Sequence, residues 1–232
     1  MTSRTVVLPT RPEPLKVEID KTALVVVDMQ NAYCSKGGYL DRVGFDVSGS
    51  APVIAEARKI IDACKAAGIR VIYLQNGFEP DLRDIGGETA PVWHKSNALR
   101  YMRDNPEWSG RLLTKGTWDH AIVDELNPSP HDIVVHKSRY SGFAGTNLEQ
   151  LLSANRVETL LVCGVATNVC VESTIRDAYH REYFPVMISD ATMAAGPGMQ
   201  EATEFNVLRF FGWLIAGAEF RSALTSNTGE IV

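Results

Sequence analysis

The stretch from Val157 to Arg181, VETLLVCGVATNVCVESTIRDAYHR, constrains the fold more than any other part of the chain. Leu160, Leu161, Val162 and Cys163 form an unbroken apolar run, as a strand buried on both faces requires. Gly164 interrupts it. From Val169 the period changes, and Val169, Cys170, Ile175 and Ala178 recur at spacings that line one face of a helix, with Thr167 or Asn168 available as its cap. The local structure is therefore strand, glycine turn, helix. Cys170 falls in the first helical turn, where unpaired backbone N–H groups and the positive end of the dipole favour a thiolate and could receive an oxyanion. The plainer reading is a small hydrophobe packed on the helix face, and the residue alone does not choose between the two.

The same alternation runs through the rest of the chain. Thr22 to Val27 is an apolar strand that ends at Asp28, a carboxylate that is costly there unless paired, although capping the following turn would also account for it. Met29, Gln30, Asn31 and Tyr33 begin an irregular stretch in which Gly37 and Gly38 allow close turns, a candidate pocket rim. Pro52 to Ala67 has helical periodicity and stops at Gly68, with Cys64 on its apolar face as core packing. Ile69 to Leu74 is the next strand. Asp119 to Leu126 is expected as a short helix, Asp132 to His136 as a strand, and Thr146 to Glu149 as the capping box of a helix reaching about Asn155. Phe184 to Ile188 is a further strand ending near Asp190, and Met199 to Ile215 a helix rich in Phe, Leu and Trp. No internal repeat is present, and the Pro9 to Pro14 region reads as part of an extended N-terminal arm at about 1–18 on a single domain spanning 1–232.

At least five strand and helix alternations call for a mostly parallel sheet covered on both faces, a three-layer α/β/α fold. Ligands collect at the carboxyl ends of such strands, where Asp28, Lys137 and Cys170 all fall. Lys137 alone would pass as a solvated surface charge. Together the three have a division of labour: Cys170 attacks an electrophilic carbon, Asp28 takes its proton, and Lys137 keeps the carboxylate ionised and stabilises the thiolate. The long section from Gln75 to Gly116 has weak periodicity but carries Trp93, His94, Lys95, Ser96, Asn97, Arg100, Tyr101 and Trp108. So long a connection points to a lid, a binding loop or a subunit contact.

The formal charge of -5 and the lack of a Lys/Arg block argue against a nucleic-acid partner. No apolar run approaches a membrane span, and the polar Met1 to Lys16 segment lacks a signal-peptide core, so the expected compartment is the cytoplasm. Four widely spaced cysteines are expected as reduced thiols. The five histidines at 94, 120, 131, 136 and 180 have no zinc spacing, and His136 should point away from the face that Lys137 uses. Neither a metal nor another cofactor is expected.

VVVDMQNAY, HKSRYSGF and GVATNVCVESTIRDA together resemble the isochorismatase-like cysteine hydrolases. The resemblance implies a catalytic triad of Asp28, Lys137 and Cys170, a cis peptide between Val165 and Ala166, and an oxyanion hole built from the Ala166 and Cys170 amides. The histidine metal motif of the nicotinamidase branch is not apparent, and Cys170 separates the chain from isochorismatases proper, which lack that nucleophile. GGYLDRVGFDVS, HKSNAL, LLTKGTWDHAIVDEL, RYSGF, ATNVCVESTIRD and FNVLRFFGW, in this order, are similar to the ureidoacrylate amidohydrolases of the Rut pathway of pyrimidine degradation. The implied reaction is hydrolysis of (Z)-3-ureidoacrylate to aminoacrylate, with ammonia and carbon dioxide arising through carbamate. Phe78 and Val92 depart from the pattern in the long loop, which leaves biuret, N-carbamoylsarcosine or another carbamoyl compound as alternatives. A non-catalytic binding or scaffold module is the alternative of a different class.

A planar ureido group and a carboxylate need different partners. The resemblance and the local chemistry nominate Asn31 and Asn76 for the amide-recognising rim and Tyr33, Trp93, Asn97 and Tyr140 for its walls. Lys95, Arg100 and Arg139 are the available cations, and Arg139 is favoured because it follows Lys137 at the two-residue period of a strand. A homodimer or homotetramer is expected from the same resemblance.

Overall fold

The computed structural model describes residues 4–226. Near the N-terminus β1 (Thr5–Leu8) and β2 (Leu15–Glu18) pair antiparallel. Six further strands, β3 (Thr22–Val27), β4 (Arg70–Asn76), β5 (Ile133–Lys137), β6 (Thr159–Val165), β7 (Phe184–Met193) and β8 (Trp213–Ile215), form one sheet. Its order is β5-β4-β3-β6-β7-β8, and every neighbouring pair is parallel. The order reverses at β3, so the crevice between the ends of β3 and β6 is the switch point of the sheet, where open α/β sheets bind ligands.

The helices are α1 (Asn31–Cys34), α2 (Tyr39–Arg42), α3 (Ser50–Ala67), α4 (Pro91–Lys95), α5 (Asn97–Asp104), α6 (Leu148–Ala154), α7 (Glu172–Tyr179), α8 (Met199–Asn206) and α9 (Gly217–Ser226). Every residue of β3 and β6 is buried, as their unbroken apolar runs require. Leu24 and Val26 of β3 pack into the core on the α3 side, with Ala57, Ile60, Ile61 and Cys64. Ala23, Val25 and Val27 face the other side, against Leu148 and Leu152 of α6 and Ile175 and Ala178 of α7. The sheet is thus a middle layer with helices on both faces. None of the helices in the described residues is long and apolar enough to cross a membrane.

Several expected elements differ. Residues 4–18 of the expected arm form a hairpin rather than an extended strap, because Val6, Leu8 and Val17 bury their side chains and Arg11 exchanges backbone hydrogen bonds with Leu214; residues 1–3 lie outside the described residues. Asp119 to Leu126 is not a helix apart from a 3-10 turn at Asp124–Leu126. Its backbone bonds instead to the segment after β3: Ala121 and Asp119 carbonyls accept from Asn31 and Ala32, and Val123 N–H donates to Met29. The helix expected to reach Ile215 ends at Asn206, followed by a π-helical turn at Val207–Phe211 and then β8. Gly212 makes the change of direction, since an added Cβ would fall on the Pro185 carbonyl oxygen. The expected capping box does not form: the N-cap of α6 is Asn147, without a side-chain cap bond, Thr146 accepts from Leu148 N–H at 3.1 Å from one residue earlier, and Glu149 pairs with Arg181 at 3.2 Å.

Candidate active site

Asp28, at the end of β3, has a φ of 49°, a left-handed conformation that Asp tolerates better than most residues. Its N–H donates to Leu74 (3.0 Å) and its carbonyl accepts from Gln30 (2.7 Å), so the turn is fixed from both sides. Lys137 is the last residue of β5, two strands away, and the β4 residue beside it in register is Asn76. Its ammonium crosses the end of β4 to donate to Asp28 Oδ2 at 2.6 Å, with both side chains fully buried. A second bond from Lys137 Nζ reaches the Arg139 carbonyl at 3.1 Å. Asp28 Oδ1 accepts no hydrogen bond of good geometry, and the Cys170 thiol and the Asn76 N–H both lie near the carboxylate beside Lys137.

Cys170 arrives from β6. Gly164, at a φ of 115°, lets β6 pass against Val27, because an added Cβ would strike the Val27 carbonyl. The Val165–Ala166 peptide is cis. A π-helical turn at Thr167–Val171 follows, so Cys170 precedes α7 and is not in its first α-helical turn. The expected cap is absent too: Thr167 donates to Gln200 (2.7 Å), and Asn168 brackets Ala195, donating to its carbonyl (3.1 Å) and accepting from its N–H (2.9 Å). The Ala166 carbonyl accepts from Val169 and Val171, which ties down the turn that carries the nucleophile candidate.

The charges in this floor are coupled. Burial pushes the Cys170 thiol well above its ordinary value, and the Lys137 ammonium only partly offsets the combined effect of burial and Asp28. Burial also raises the Asp28 carboxyl, against the pull of Lys137. For Lys137 burial acts to lower the value, but Asp28 and Cys170 outweigh it and the ammonium is held protonated. These directions favour a Lys137 ammonium and a protonated Cys170 thiol beside Asp28, rather than the dipole-stabilised thiolate that a helix start alone would favour. Such an arrangement generates a thiolate only as a proton moves to Asp28.

Above this floor is a cavity of about 400 Å³. Cys170 and Ala166 line it, as do Tyr33, Asn76, Lys95, Asn97, Arg139 and Tyr140 among the residues nominated from sequence. Asn76 donates to the Tyr33 hydroxyl at 2.6 Å, and its Oδ1 is buried with no donor. Asn31, Trp93 and Arg100 are not part of the lining. Asn31 donates to the Trp118 carbonyl (3.0 Å) and accepts from Ser35 (3.0 Å), tying α1 to the segment that replaced the expected helix. Trp93 stacks under Arg103, at 4.4 Å from the ring centre, and faces a separate cleft with Pro80 and Leu82. Arg100 is exposed on α5. Arg139 lines the cavity for a reason other than its strand period: β5 stops at Lys137 and the chain bends, so alternation beyond it does not apply.

Two further residues shape the cavity, Tyr39 not nominated from sequence and Gln30 named there only within the irregular stretch at its rim. Tyr39, first residue of α2, lines the cavity edge-on to Tyr33 at 5.7 Å, and only its place after Gly37 and Gly38 hinted at this. Gln30 is fully buried and works behind the lining: its Nε2 donates to the carbonyls of Asn76 (2.9 Å) and His120 (2.7 Å), and its Oε1 accepts from Asn76 N–H (2.8 Å). It fixes the backbone from which Asn76 projects. Among the described residues no group of three or more His, Cys, Asp or Glu side chains is placed to hold a metal ion.

Comparison with known proteins gives the same answer at three levels. Residues 22–219 match the isochorismatase domain. The chain is 55% identical over 223 residues to a ureidoacrylate amidohydrolase RutB of Methylorubrum extorquens, covering 96% of this chain and 90% of that one. A cysteine hydrolase structure from Pseudomonas syringae pv. phaseolicola superposes with a TM-score of 0.76 at 31% identity, over 98% of this chain and 100% of the other. An N-carbamoylsarcosine amidase from Thermoplasma acidophilum superposes at 0.65 with 28% identity, over 85% and 96%. With its parallel sheet, its cavity at the switch point and a domain match that runs from the start of β3 into α9, the chain belongs to the isochorismatase family.

Proposed function

We propose that the protein is a cysteine amidohydrolase that cleaves (Z)-3-ureidoacrylate. The observation that carries the chemistry is the buried Asp28, Lys137 and Cys170 group on the floor of a cavity that Ala166 also lines. The substrate class is supported by the relative named ureidoacrylate amidohydrolase. Cys170 Sγ attacks the ureido carbonyl while Asp28 accepts the thiol proton, and the resulting oxyanion faces the Ala166 and Cys170 amides. Asp28 then gives the proton to the vinylic nitrogen as its C–N bond breaks, releasing 3-aminoacrylate and leaving a carbamoyl thioester on Cys170. Water, deprotonated by Asp28, attacks that thioester. Carbamate leaves, the thiol is restored, and carbamate breaks down to ammonia and carbon dioxide. Lys137 stays protonated throughout and limits the rise of the Asp28 carboxyl. Asn76 Oδ1, buried without a donor, is placed to accept a ureido N–H.

The reaction is assigned to the cytoplasm and to a homodimer or homotetramer, with neither nucleic acid nor membrane as partner. The single domain is taken to span 1–232. The structural likeness to an N-carbamoylsarcosine amidase supports a second reading, a different carbamoyl substrate at the same nucleophile. Purified protein incubated with ureidoacrylate in separate chelator and thiol-alkylation arms tests the mechanism. Activity should survive chelation and fall in proportion to the fraction of Cys170 alkylated, measured by peptide mass. Turnover that persists after stoichiometric alkylation of Cys170 overturns the mechanism, and turnover of N-carbamoylsarcosine but not ureidoacrylate favours the second reading.

A further inference from the structure

We infer that Lys95 is the residue that reads the substrate carboxylate, and that Arg139, the other cation in the lining, holds the lid in place instead. This rests on the reading of the substrate as a small carbamoyl acid.

The two cations differ in what already occupies them. Arg139 Nη1 donates to the Ser138 carbonyl at 2.9 Å and the Ser138 hydroxyl at 3.1 Å, and approaches the Asp84 carbonyl at 3.4 Å. Its Nη2 faces the Ile85 carbonyl at 3.5 Å. Nη1 has two hydrogens, so that side of the fork is committed to these acceptors. Forking a carboxylate from it would strip hydrogen bonds from part-buried backbone carbonyls just beyond β5. Those carbonyls belong to both sides of a junction, Ser138 just after β5 and Asp84 and Ile85 in the connection that leads to α4. The Ser138 hydroxyl also meets Asp84 O, at 3.5 Å. Arg139 therefore fastens the 84–85 segment to the strand end that carries Lys137.

Lys95 is exposed, lines the cavity, and among the described residues has no carboxylate partner. It is the last residue of α4, and the chain turns directly into α5, whose cap Ser96 accepts from Leu99 N–H at 3.3 Å. Ser96 and Asn97 line the cavity with it, so the positive end of the α5 dipole adds to the ammonium at the same rim. At the floor are Cys170 and the donor-free Asn76 Oδ1. The cavity thus has an acceptor at the nucleophile and a cation at the lid, with Leu40, Phe45 and Val92 among the apolar groups of its wall. A substrate with an N–H-rich carbamoyl end, a flat apolar link and an anionic end matches that order of groups. Arg100, the third sequence candidate, does not reach the lining.

The test pairs (Z)-3-ureidoacrylate with its primary amide, which keeps the shape and loses the charge. Lys95→Met should lower kcat/KM for the acid by about 10- to 100-fold, mainly through KM, as expected for losing one charge-assisted bond. The amide should change by less than about threefold, and Lys95→Arg should recover most of the loss. Arg139→Met should lower both substrates alike, because a loosened lid does not sense the charge. Equal losses on acid and amide for Lys95→Met, or an acid-selective loss for Arg139→Met, overturn the assignment. Wild-type turnover of the acid checks the function separately. If it is absent, calorimetric binding of acid and amide to Cys170→Ala, with and without Lys95→Met, still decides the matter: an acid-specific loss supports Lys95, while equal loss or no binding of the acid rejects it.

Discussion

Replacing Asp28 by Asn leaves the Lys137 ammonium buried with no counter-charge, and the structure indicates how much that should cost. The pair is 2.6 Å apart and neither side chain is exposed, so water cannot replace the missing partner. Breaking a buried pair from one side typically costs about 3–5 kcal/mol, most of it the penalty of the orphaned charge. Asn suits the left-handed φ of 49° as well as Asp does, so no backbone term is added. Lys137→Met should cost a similar amount, since it orphans Asp28. The double variant removes both charges, and the same reasoning predicts that it is no less stable than either single variant, which corresponds to a coupling energy of at least about 3 kcal/mol. Urea unfolding at pH 7.5 measures all four proteins, with equal m-values as the condition for comparison. Catalysis should not follow stability: each single variant and the double should lose at least about a thousandfold in kcat/KM, because members of one proton-transfer unit are not separately dispensable. A double variant as unstable as the sum of the singles, or an Asp28→Asn protein within about 1 kcal/mol of wild type, would refute the view of this pair as mutually compensating buried charges.

Two predictions follow from other buried titratable groups. Burial pushes Cys34 and Cys163 up to about 12, so the folded state keeps protons that the unfolded chain releases near pH 9. Stability should therefore fall as pH rises above 9, by about 1.4 kcal/mol per unit for each of these thiols; an unfolding midpoint that stays flat between pH 8.5 and 10.5 would contradict this. At the acid end burial, aided by His136, lowers His120 to about 4. The unfolded imidazole takes its proton near pH 6.5 and the folded one resists, so stability should decline as pH drops from 6.5 towards 4 and should be insensitive to this group above 6.5. A His120→Gln protein should show a shallower decline in that window, measured by the same urea titration, and an unchanged slope would exclude His120 as its source.

The layers of the fold were legible because their signals are local. β3 and β6 are unbroken apolar runs, and α3 and α7 bury one periodic face each, so the strand and helix patterns survive without knowledge of the partner. The same property exposed Asp28 and Lys137, since a charge at the end of a buried strand stands out against its neighbours. Cys170 became legible by joining them at the same edge of the sheet. Where the partner is distant, the signal vanishes. Residues 119–123 look helical in isolation, yet their hydrogen bonds go to Met29, Asn31 and Ala32, and no local pattern encodes that pairing. In the connection between β4 and β5, α4 and α5 have five and eight residues, too short to be stable by propensity, so they exist through packing of Ala98, Leu99 and Met102 on the core.

The same connection shows why substrate-reading residues are harder to find than catalytic ones. Asp28, Lys137 and Cys170 are distinguished by where the chain puts them, at the ends of elements that the apolar pattern already defines. Lys95, Arg100 and Arg139 are all cations in or beside irregular segments, and no spacing separates one from another. Their differences arise from what each meets in three dimensions: Arg139 finds carbonyls of residues 84, 85 and 138, Arg100 finds solvent, and Lys95 faces the cavity without a carboxylate. A guanidinium already bonded to backbone oxygens is a structural tie, because a ligand must compete with the acceptors it already holds. An ammonium on a cavity rim has only water to give up. The distinction between tie and reader therefore depends on hydrogen-bond occupancy, which is settled only when segments far apart in the chain come together.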